Sequence, residues 1–263
     1  MTDPLASITR SPQPAGPPVG LDQRHPLEVS ELRQLWSMLD GGAIMVVEVR
    51  HRLWRSWGLC PRHGWGFLAM EVELRGGHPL TSTVLLEDLV GRAVRAVRRA
   101  FGRPLSGPRR LLGTRASCLT CDFVDLVRRG GEGNPLARPT REWLDRMRPL
   151  PALAATSALL AATEREWRPR ACPGCLAGGG PLCRPHLLAG SVSLDDRRRT
   201  LAALEDLSGR LTRYGRSMTW RGPAARPEDR AALVEGLAWT GGWRAPLGLL
   251  AGREAAAGPE RHV

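Results

Sequence analysis

Six cysteines and two histidines of this chain form four short pairs, each with two residues between its members. We call these pairs dyads: Cys60–His63, Cys118–Cys121, Cys172–Cys175 and Cys183–His186. No cysteine of the sequence lies outside them. Two side chains three positions apart on a tight turn can reach one ion, and Cys3His is a common closed, tetrahedral zinc site. The pattern therefore predicts two structural zinc ions per chain, with these eight residues as ligands.

The distribution of the dyads along the chain favours a sequential pairing, in which the first two dyads form one site and the last two form the other. The stretch from Cys172 to His186 is short enough to close a site alone, and its Gly and Pro content predicts a loop rather than a helix. The other two dyads are separated by 54 residues, and each precedes a predicted helix whose start can approach the ion. In the alternative, interleaved pairing, Cys118 and Cys121 join Cys183 and His186, and Cys60 and His63 join Cys172 and Cys175. Arg170 and Arg184 are candidate cationic neighbours of the thiolates.

The charge balance is strongly positive, with a formal net charge of +12 over 263 residues. Such a charge is typical of proteins with polyanionic partners. All 38 basic residues are arginine, however, and Ala, Gly and Pro are also abundant, as in proteins from GC-rich genomes. Coding bias therefore accounts for part of the arginine excess, and the partner is expected to be either a protein or a nucleic acid.

The N-terminal segment predicts a cytoplasmic protein. Residues 1–20 are rich in proline and carry no apolar run of the kind an export signal needs, so we expect a disordered leader. The longest apolar run, residues 150–163, is too short to span a bilayer and predicts no membrane partner. Cysteines in C-x2-C pairs within a reducing compartment favour metal binding over disulfides.

Apolar periodicity predicts an all-α protein, a multi-helix array with little or no β-sheet. We expect a first helix to begin at Pro26, and a second, central helix to span residues 43–57 with apolar positions on more than one face. Further helices are predicted over residues 65–75, 83–101, 122–129, 140–148, 152–167, 193–214 and 227–239. Thr140, Ser193 and Pro227 are expected at three of their starts. The arginines along residues 92–99 are expected on a solvated face.

The Pro- and Gly-rich stretch over residues 102–113 predicts a boundary between two modules. We expect a leader over residues 1–20, an N-terminal helical module over 21–112 with one C-x2-H knuckle, a C-terminal helical module over 113–250 with the remaining dyads, and a flexible tail over 251–263.

The motifs resemble those of an uncharacterised family of bacterial helical proteins with repeated C-x2-C … C-x2-H modules. Cys118–Cys121 leading to a helix and the run Leu182-Cys183-Arg184-Pro185-His186-Leu187-Leu188 are similar to one such module, and residues 58–65 and 85–89 to parts of another. The chain departs from the family where a first C-x2-C is expected, near His25. The resemblance implies presumed zinc binding, a helical fold and no established activity.

The sequence predicts a non-enzymatic, zinc-stabilised interaction or regulatory module. It contains no P-loop, dinucleotide-binding glycine motif or recognisable nucleophile–base arrangement. The alternative is an iron–sulfur or dithiol redox protein, since Cys172-Pro173-Gly174-Cys175 has the spacing of a redox-active pair. His25, His51, His78 and His262 lack ligand spacing. Among the tryptophans, Trp65, Trp220 and Trp243 lie near glycine-rich turns and are expected to be exposed.

Overall fold

The computed structural model describes residues 27–40, 42–101, 110–131, 139–147, 154–176, 179–189 and 192–247. Its α-helices are α1 (Val29–Leu39), α2 (Val47–Ser56), α3 (Pro61–Leu74), α4 (Leu80–Phe101), α5 (Leu119–Arg128), α6 (Arg141–Met147), α7 (Ala154–Ala162), α8 (Glu164–Trp167), α9 (Arg184–Ala189), α10 (Leu194–Ser217) and α11 (Pro227–Gly241). Short 3-10 turns occur at Ala43–Met45 and Arg168–Arg170. No strand occurs in these segments, and the all-α prediction is confirmed.

Three helices build the centre of the molecule. α4 and α10 pack along each other, and α11 packs against both of them and against α3. α4 buries one apolar face, which includes Leu86, Leu89 and Val90. α11 is buried around most of its circumference, from Ala231 to Thr240. A helix enclosed on most sides needs mainly small and apolar residues, and residues 231–240 of α11 are of this kind except for Glu235 and Thr240.

The helix predicted over residues 43–57 is confirmed from Val47 to Ser56, but its predicted start and its central position are wrong. The chain forms a 3-10 turn, passes through an extended Val46 (φ −70°, ψ 133°) and only then enters α2. Met45 and Val47 are 72% and 66% exposed, and α2 buries only Leu53 and Ser56. β-branched residues favour extended backbone, which delays the helix, and α11 occupies the central position instead.

Other predicted helices differ in their bounds. The helices predicted from residues 65, 83 and 122 begin at Pro61, Leu80 and Leu119. α1 begins at Val29, after an extended Glu28, so Pro26 is not its first residue. The helix predicted over residues 152–167 is divided at Thr163 into α7 and α8. The Thr163 hydroxyl donates to the carbonyl of Leu159 at 2.7 Å, a side-chain bond that competes with the regular helical pattern.

The predicted helix starts at Thr140, Ser193 and Pro227 are confirmed. The Thr140 hydroxyl accepts from the N–H of Trp143 at 3.2 Å. The Ser193 hydroxyl accepts from the N–H of Asp196 at 3.0 Å. Pro227 is the first residue of α11, where its missing N–H leaves no helical bond unmade.

The prediction of exposed tryptophans is correct for one residue of three. Trp220 is 97% exposed in the loop after α10, whereas Trp65 and Trp243 are 2% and 3% exposed. Neighbouring glycines indicated turns at these positions, but Gly64 and Gly66 lie within α3, and the side chains of Trp65 and Trp243 belong to the core.

One apolar core includes residues on both sides of the predicted module boundary, from Leu27 to Ala245. The boundary itself stays a prediction, and residues 102–109 lie outside the described part of the chain, as do the leader and the tail. Within the described residues, none of the helices combines the length and the apolar character that crossing a bilayer requires.

Candidate metal centres

Three of the four dyads occupy the first turn of a helix. Cys60 is the N-cap of α3, Cys118 is the N-cap of α5, and Cys183 immediately precedes α9. The carbonyl of each accepts from the N–H four residues later, at 2.8, 3.1 and 2.9 Å respectively. Residues at the N-cap and three positions on face the same helix end, as in a capping box, so both ligands of a dyad reach one point. The positive end of the helix also stabilises a thiolate there.

These positions correct the expectation that the dyads precede their helices. The second members His63, Cys121 and His186 lie inside helices rather than before them. The stretch predicted as a loop from its Gly and Pro content contains α9, because Pro185 falls within the first turn, where a missing N–H is tolerated.

The first cluster consists of Cys60, His63, Cys118 and Cys121, at the meeting point of the α3 and α5 starts. Nδ1 of His63 lies 3.2, 3.5 and 3.4 Å from the Sγ atoms of Cys60, Cys118 and Cys121. The Sγ atoms of Cys60 and Cys121 are 3.9 Å apart. A disulfide would need about 2.05 Å, so these cysteines are free thiols.

The second cluster consists of Cys172, Cys175, Cys183 and His186. Nδ1 of His186 lies 3.5, 3.4 and 3.2 Å from the three Sγ atoms, in chain order. The Sγ atoms of Cys175 and Cys183 are 3.7 Å apart. Two unrelated parts of the chain thus form nearly the same set of distances.

Both clusters have the dimensions of a tetrahedral site for one ion. With Zn–S near 2.3 Å and Zn–N near 2.0–2.1 Å, the edges of a tetrahedron are about 3.5 Å between S and N and about 3.8 Å between two S atoms. The observed S–N distances of 3.2–3.5 Å and S–S distances of 3.7–3.9 Å fit these edges. All four coordination positions of each site are supplied by protein atoms.

Glu31, which sequence analysis did not single out, completes the surroundings of the first cluster. Its Oε1 lies 2.7 Å from Nε2 of His63, the ring nitrogen that faces away from the cysteines. A carboxylate in this position fixes the tautomer and orientation of a metal-binding imidazole. Arg62 binds both oxygens of Glu31 at 2.7 and 2.8 Å, and the N–H of Glu28 donates at 2.6 Å. The only signal for Glu31 in the sequence is its place in a helix first turn.

The electrostatics of the first cluster follow from this geometry. Burial alone would raise the pKa of Glu31, but hydrogen bonds from Arg62 and His63 bring it well below its ordinary value. Burial would lower the pKa of His63, yet its contacts with Cys118, Cys60 and Glu31 raise it to about 11. The pKa of Cys118 is lowered by its contacts with Cys121 and Cys60. The pKa of Cys121 is raised by its contacts with Cys118 and Cys60. Three thiols in one space therefore favour a cation among them.

Backbone N–H groups face the thiols of the second cluster. The pKa of Cys172 is lowered to about 5, chiefly by the Cys183 side chain and also by the N–H groups of Cys183 and Gly174. The N–H of Trp243 faces Cys175 in the same way, although burial keeps the pKa of that thiol raised. Gly174 also makes room for the histidine, since a Cβ there would lie 2.8 Å from Cδ2 of His186. The Cys-Pro-Gly-Cys turn is thus shaped around the imidazole.

The two arginines expected beside the thiolates have other contacts. Arg184 donates to the carbonyls of Thr240 at 3.0 Å and Leu112 at 3.1 Å, so it joins the second cluster to the end of α11. Burial lowers the pKa of Arg184 to about 10, and the charge of the nearby Cys183 only partly opposes this shift. Arg170 faces Asp206 and Glu235.

The structure groups the dyads sequentially, and the interleaved grouping does not occur. His51 lies against Trp54, with ring centroids 5.3 Å apart, and His78 contacts the carbonyls of Arg75 and Gly76. His25 and His262 lie outside the described residues. Within the described chain, no further group of three or more metal-binding side chains occurs.

Comparisons with protein-family models, curated proteins and solved structures found no match to this chain. The two clusters are therefore interpreted from their own geometry.

Proposed function

We propose that the protein is a non-enzymatic helical module, stabilised by two structural zinc ions, that binds nucleic acid. The observation that carries the metal part is the pair of closed Cys3His clusters with tetrahedral dimensions. All four positions of such a site are protein atoms, which leaves no open position for water or substrate. The proposal includes a reducing, cytoplasmic location and membership of the bacterial family that the dyads resemble.

The geometry favours one ion per cluster over an iron–sulfur cluster. A multinuclear cluster must fit between its ligands and holds them farther apart than the 3.7–3.9 Å between these sulfurs. A dithiol function needs an accessible thiolate. In the Cys172–Cys175 pair, Cys172 is buried and Cys175 is only partly exposed. Zinc favours a tetrahedral Cys3His set and has no redox chemistry, which suits a structural role.

The nucleic-acid part of the proposal rests on a group of five arginines, which we call the arginine face: Arg55, Arg92, Arg95, Arg110 and Arg115. The segment before α5 lies against the end of α2, where the N–H of Arg115 donates to the carbonyl of Arg55 at 2.7 Å. A guanidinium N–H of Arg115 donates to the carbonyl of Arg110 at 3.2 Å. Burial lowers the pKa of Arg92, the charge of Asp88 opposes this shift, and the charges of Arg95 and Arg115 add to it, as expected where cations lie close together.

The arginine face combines five guanidinium groups with no ion pair among them. None of its five side chains forms an ion pair with a carboxylate of the described residues, whereas Arg98 pairs with Glu205 and Arg128 with Glu28. Other arginines of the described chain are also unpaired, so the face is distinguished by the grouping of its five charges. Arg92 instead lies 4.9 Å from the ring centre of Trp54, a half-buried indole beside the face. Unpaired guanidinium groups beside an aromatic ring suit phosphates and stacked bases.

Elemental analysis of the purified protein tests the metal part. We expect about two zinc atoms per chain and no visible absorption, because zinc has a filled d shell. A coloured protein that contains iron would replace the proposal with an electron-transfer role.

Salt-dependent binding of labelled single-stranded and duplex DNA tests the nucleic-acid part. If the five arginines each neutralise one phosphate, log K should fall with log [salt] at a slope of about −3 to −5. The double variant Arg55→Gln/Arg115→Gln should flatten the slope by about 2. The matched control is Arg198→Gln/Arg199→Gln, which removes the same charge from exposed arginines paired to acids. Equal loss in both variants, or no binding at low salt, would contradict the nucleic-acid part and favour a protein partner.

A further inference from the structure

A cavity of about 200 Å³ lies between α10, α11 and the segment that leads into the second cluster. Leu204 and Leu207 of α10 form one wall, and the indoles of Trp239 and Trp243 form another. The volume exceeds the roughly 150 Å³ at which an apolar cavity holds a benzene molecule. It is therefore large enough for a small organic molecule with one ring.

The polar end of the cavity is formed by two arginines and two acids. The buried guanidinium of Arg210 binds both oxygens of Glu235 at 2.6 and 2.5 Å and one oxygen of Asp206 at 2.8 Å. It also donates to the carbonyl of Glu228 at 3.1 Å. Arg210 therefore engages both carboxylates, which makes them poor partners for a cationic ligand.

Arg170 is the less engaged of the two arginines. It lies at the edge of the cavity, 3.5 Å from Asp206 and 3.7 Å from Glu235, which is long for an ion pair whose acids are already bound by Arg210. Its side chain is 39% exposed and can therefore turn toward a ligand.

We propose that this cavity binds a small aromatic carboxylate. Its carboxylate accepts hydrogen bonds from Arg170, whose fork of donors matches two oxygens. Its ring lies between the leucines of α10 and the indoles, where aromatic contacts add to apolar burial. The inference concerns a different surface from the arginine face and does not depend on nucleic-acid binding.

The cavity is connected to the second metal cluster through its walls. The N–H of Trp243 faces the Cys175 thiol, and the indole of Trp243 packs on Trp167 with ring centroids 5.4 Å apart. Arg170 lies two residues before Cys172. A ligand that orders Trp243 and Arg170 should therefore also slow metal loss from this cluster, while the first cluster is unaffected.

Binding of phenylacetate to the zinc-loaded protein tests the proposal, followed by NMR of the indole N–H signals with Trp239→Phe to assign Trp239. We expect the Trp239 signal to shift, because its indole lines the cavity, and the neutral analogue phenylacetamide to bind at least tenfold more weakly, since it lacks the charge that pairs with arginine. Phenethylamine should not compete. An unshifted Trp239 signal, or equal binding of the acid and its neutral analogue, would overturn the proposal.

Two variants separate the cavity from general folding effects. Arg170→Gln should weaken phenylacetate at least tenfold, whereas Arg168→Gln, on the same 3-10 turn but paired to Glu164, should not. Ala203→Phe fills the cavity from a half-buried position on α10 and should abolish binding while the helical spectrum persists. Retained affinity in both Arg170→Gln and Ala203→Phe would place the ligand elsewhere and refute the proposal.

Discussion

At the residue scale, the two clusters share their ligands but differ in what supports them. The first has a carboxylate, Glu31, on the outer nitrogen of its histidine. The second has backbone N–H groups directed at its thiols and a glycine that makes room for the ring. Both arrangements favour a bound cation, the first through the histidine and the second through the sulfurs.

Glu31→Gln should therefore weaken metal binding at the first cluster only. Loss of such an outer carboxylate typically costs 10–100-fold in metal affinity. Competition with a chelator should release one of two zinc equivalents earlier than in the original protein. Glu48→Gln is the matched control, because Glu48 is an exposed glutamate in the first turn of α2, a helix that carries no ligand. Equal effects of the two substitutions would refute a supporting role for Glu31.

The buried pair of Arg210 and Glu235 gives a second prediction at this scale. Arg210 is 2% exposed, so Arg210→Met leaves the Glu235 carboxylate buried without its partner. We expect a loss of about 3–5 kcal/mol in the free energy of unfolding, measured with urea. Arg210→Met/Glu235→Leu should recover most of that loss, because no buried charge remains. A double variant as unstable as the single one would show that packing, rather than charge, sets the cost.

At the element scale, helix ends decide both the fold and the ligand geometry. The dyads at the starts of α3, α5 and α9 use the N-cap and the third helical position, so a local rule of helix initiation orients both side chains. The same rule begins α10, where Ser193 has a purely structural role.

Ser193→Ala should lower the free energy of unfolding by about 1 kcal/mol, because the N–H of Asp196 loses its acceptor. Ser193→Thr keeps a hydroxyl that accepts from the N–H of Asp196 and donates to its carboxylate, so it should stay within a few tenths of the original stability. Thermal unfolding of the three proteins under the same zinc concentration measures the difference. Similar losses in both variants would mean that Ser193 acts through some contact other than capping.

At the scale of the whole molecule, each cluster connects segments that are distant in the chain. The first joins the starts of α3 and α5, and the second joins the Cys-Pro-Gly-Cys turn to α9 and, through Arg184, to the end of α11. Because α11 is enclosed by the other helices, loss of the second cluster should disturb the centre of the fold more than loss of the first.

Cys175→Ser and Cys121→Ser test this asymmetry. Each should release about one zinc equivalent, since metal binding and folding are coupled. Cys175→Ser should cause the larger drop in unfolding temperature and increase the exposure of Trp239 and Trp243 to a fluorescence quencher. Equal destabilisation would show that the clusters contribute alike, and full metal retention in either variant would contradict the assigned ligands.

The sequence by itself determined the features that depend on short spacing: the four dyads, the helical class, and the starts at Thr140, Ser193 and Pro227. These are local, since ligand spacing, caps and apolar period each operate within a few residues. Only the tertiary structure decided which dyads meet, that Glu31 supports His63, that α11 rather than residues 43–57 is central, and that five arginines lie unpaired on one face. Those outcomes depend on how helices pack, and contacts between distant residues leave no periodic signal in the chain.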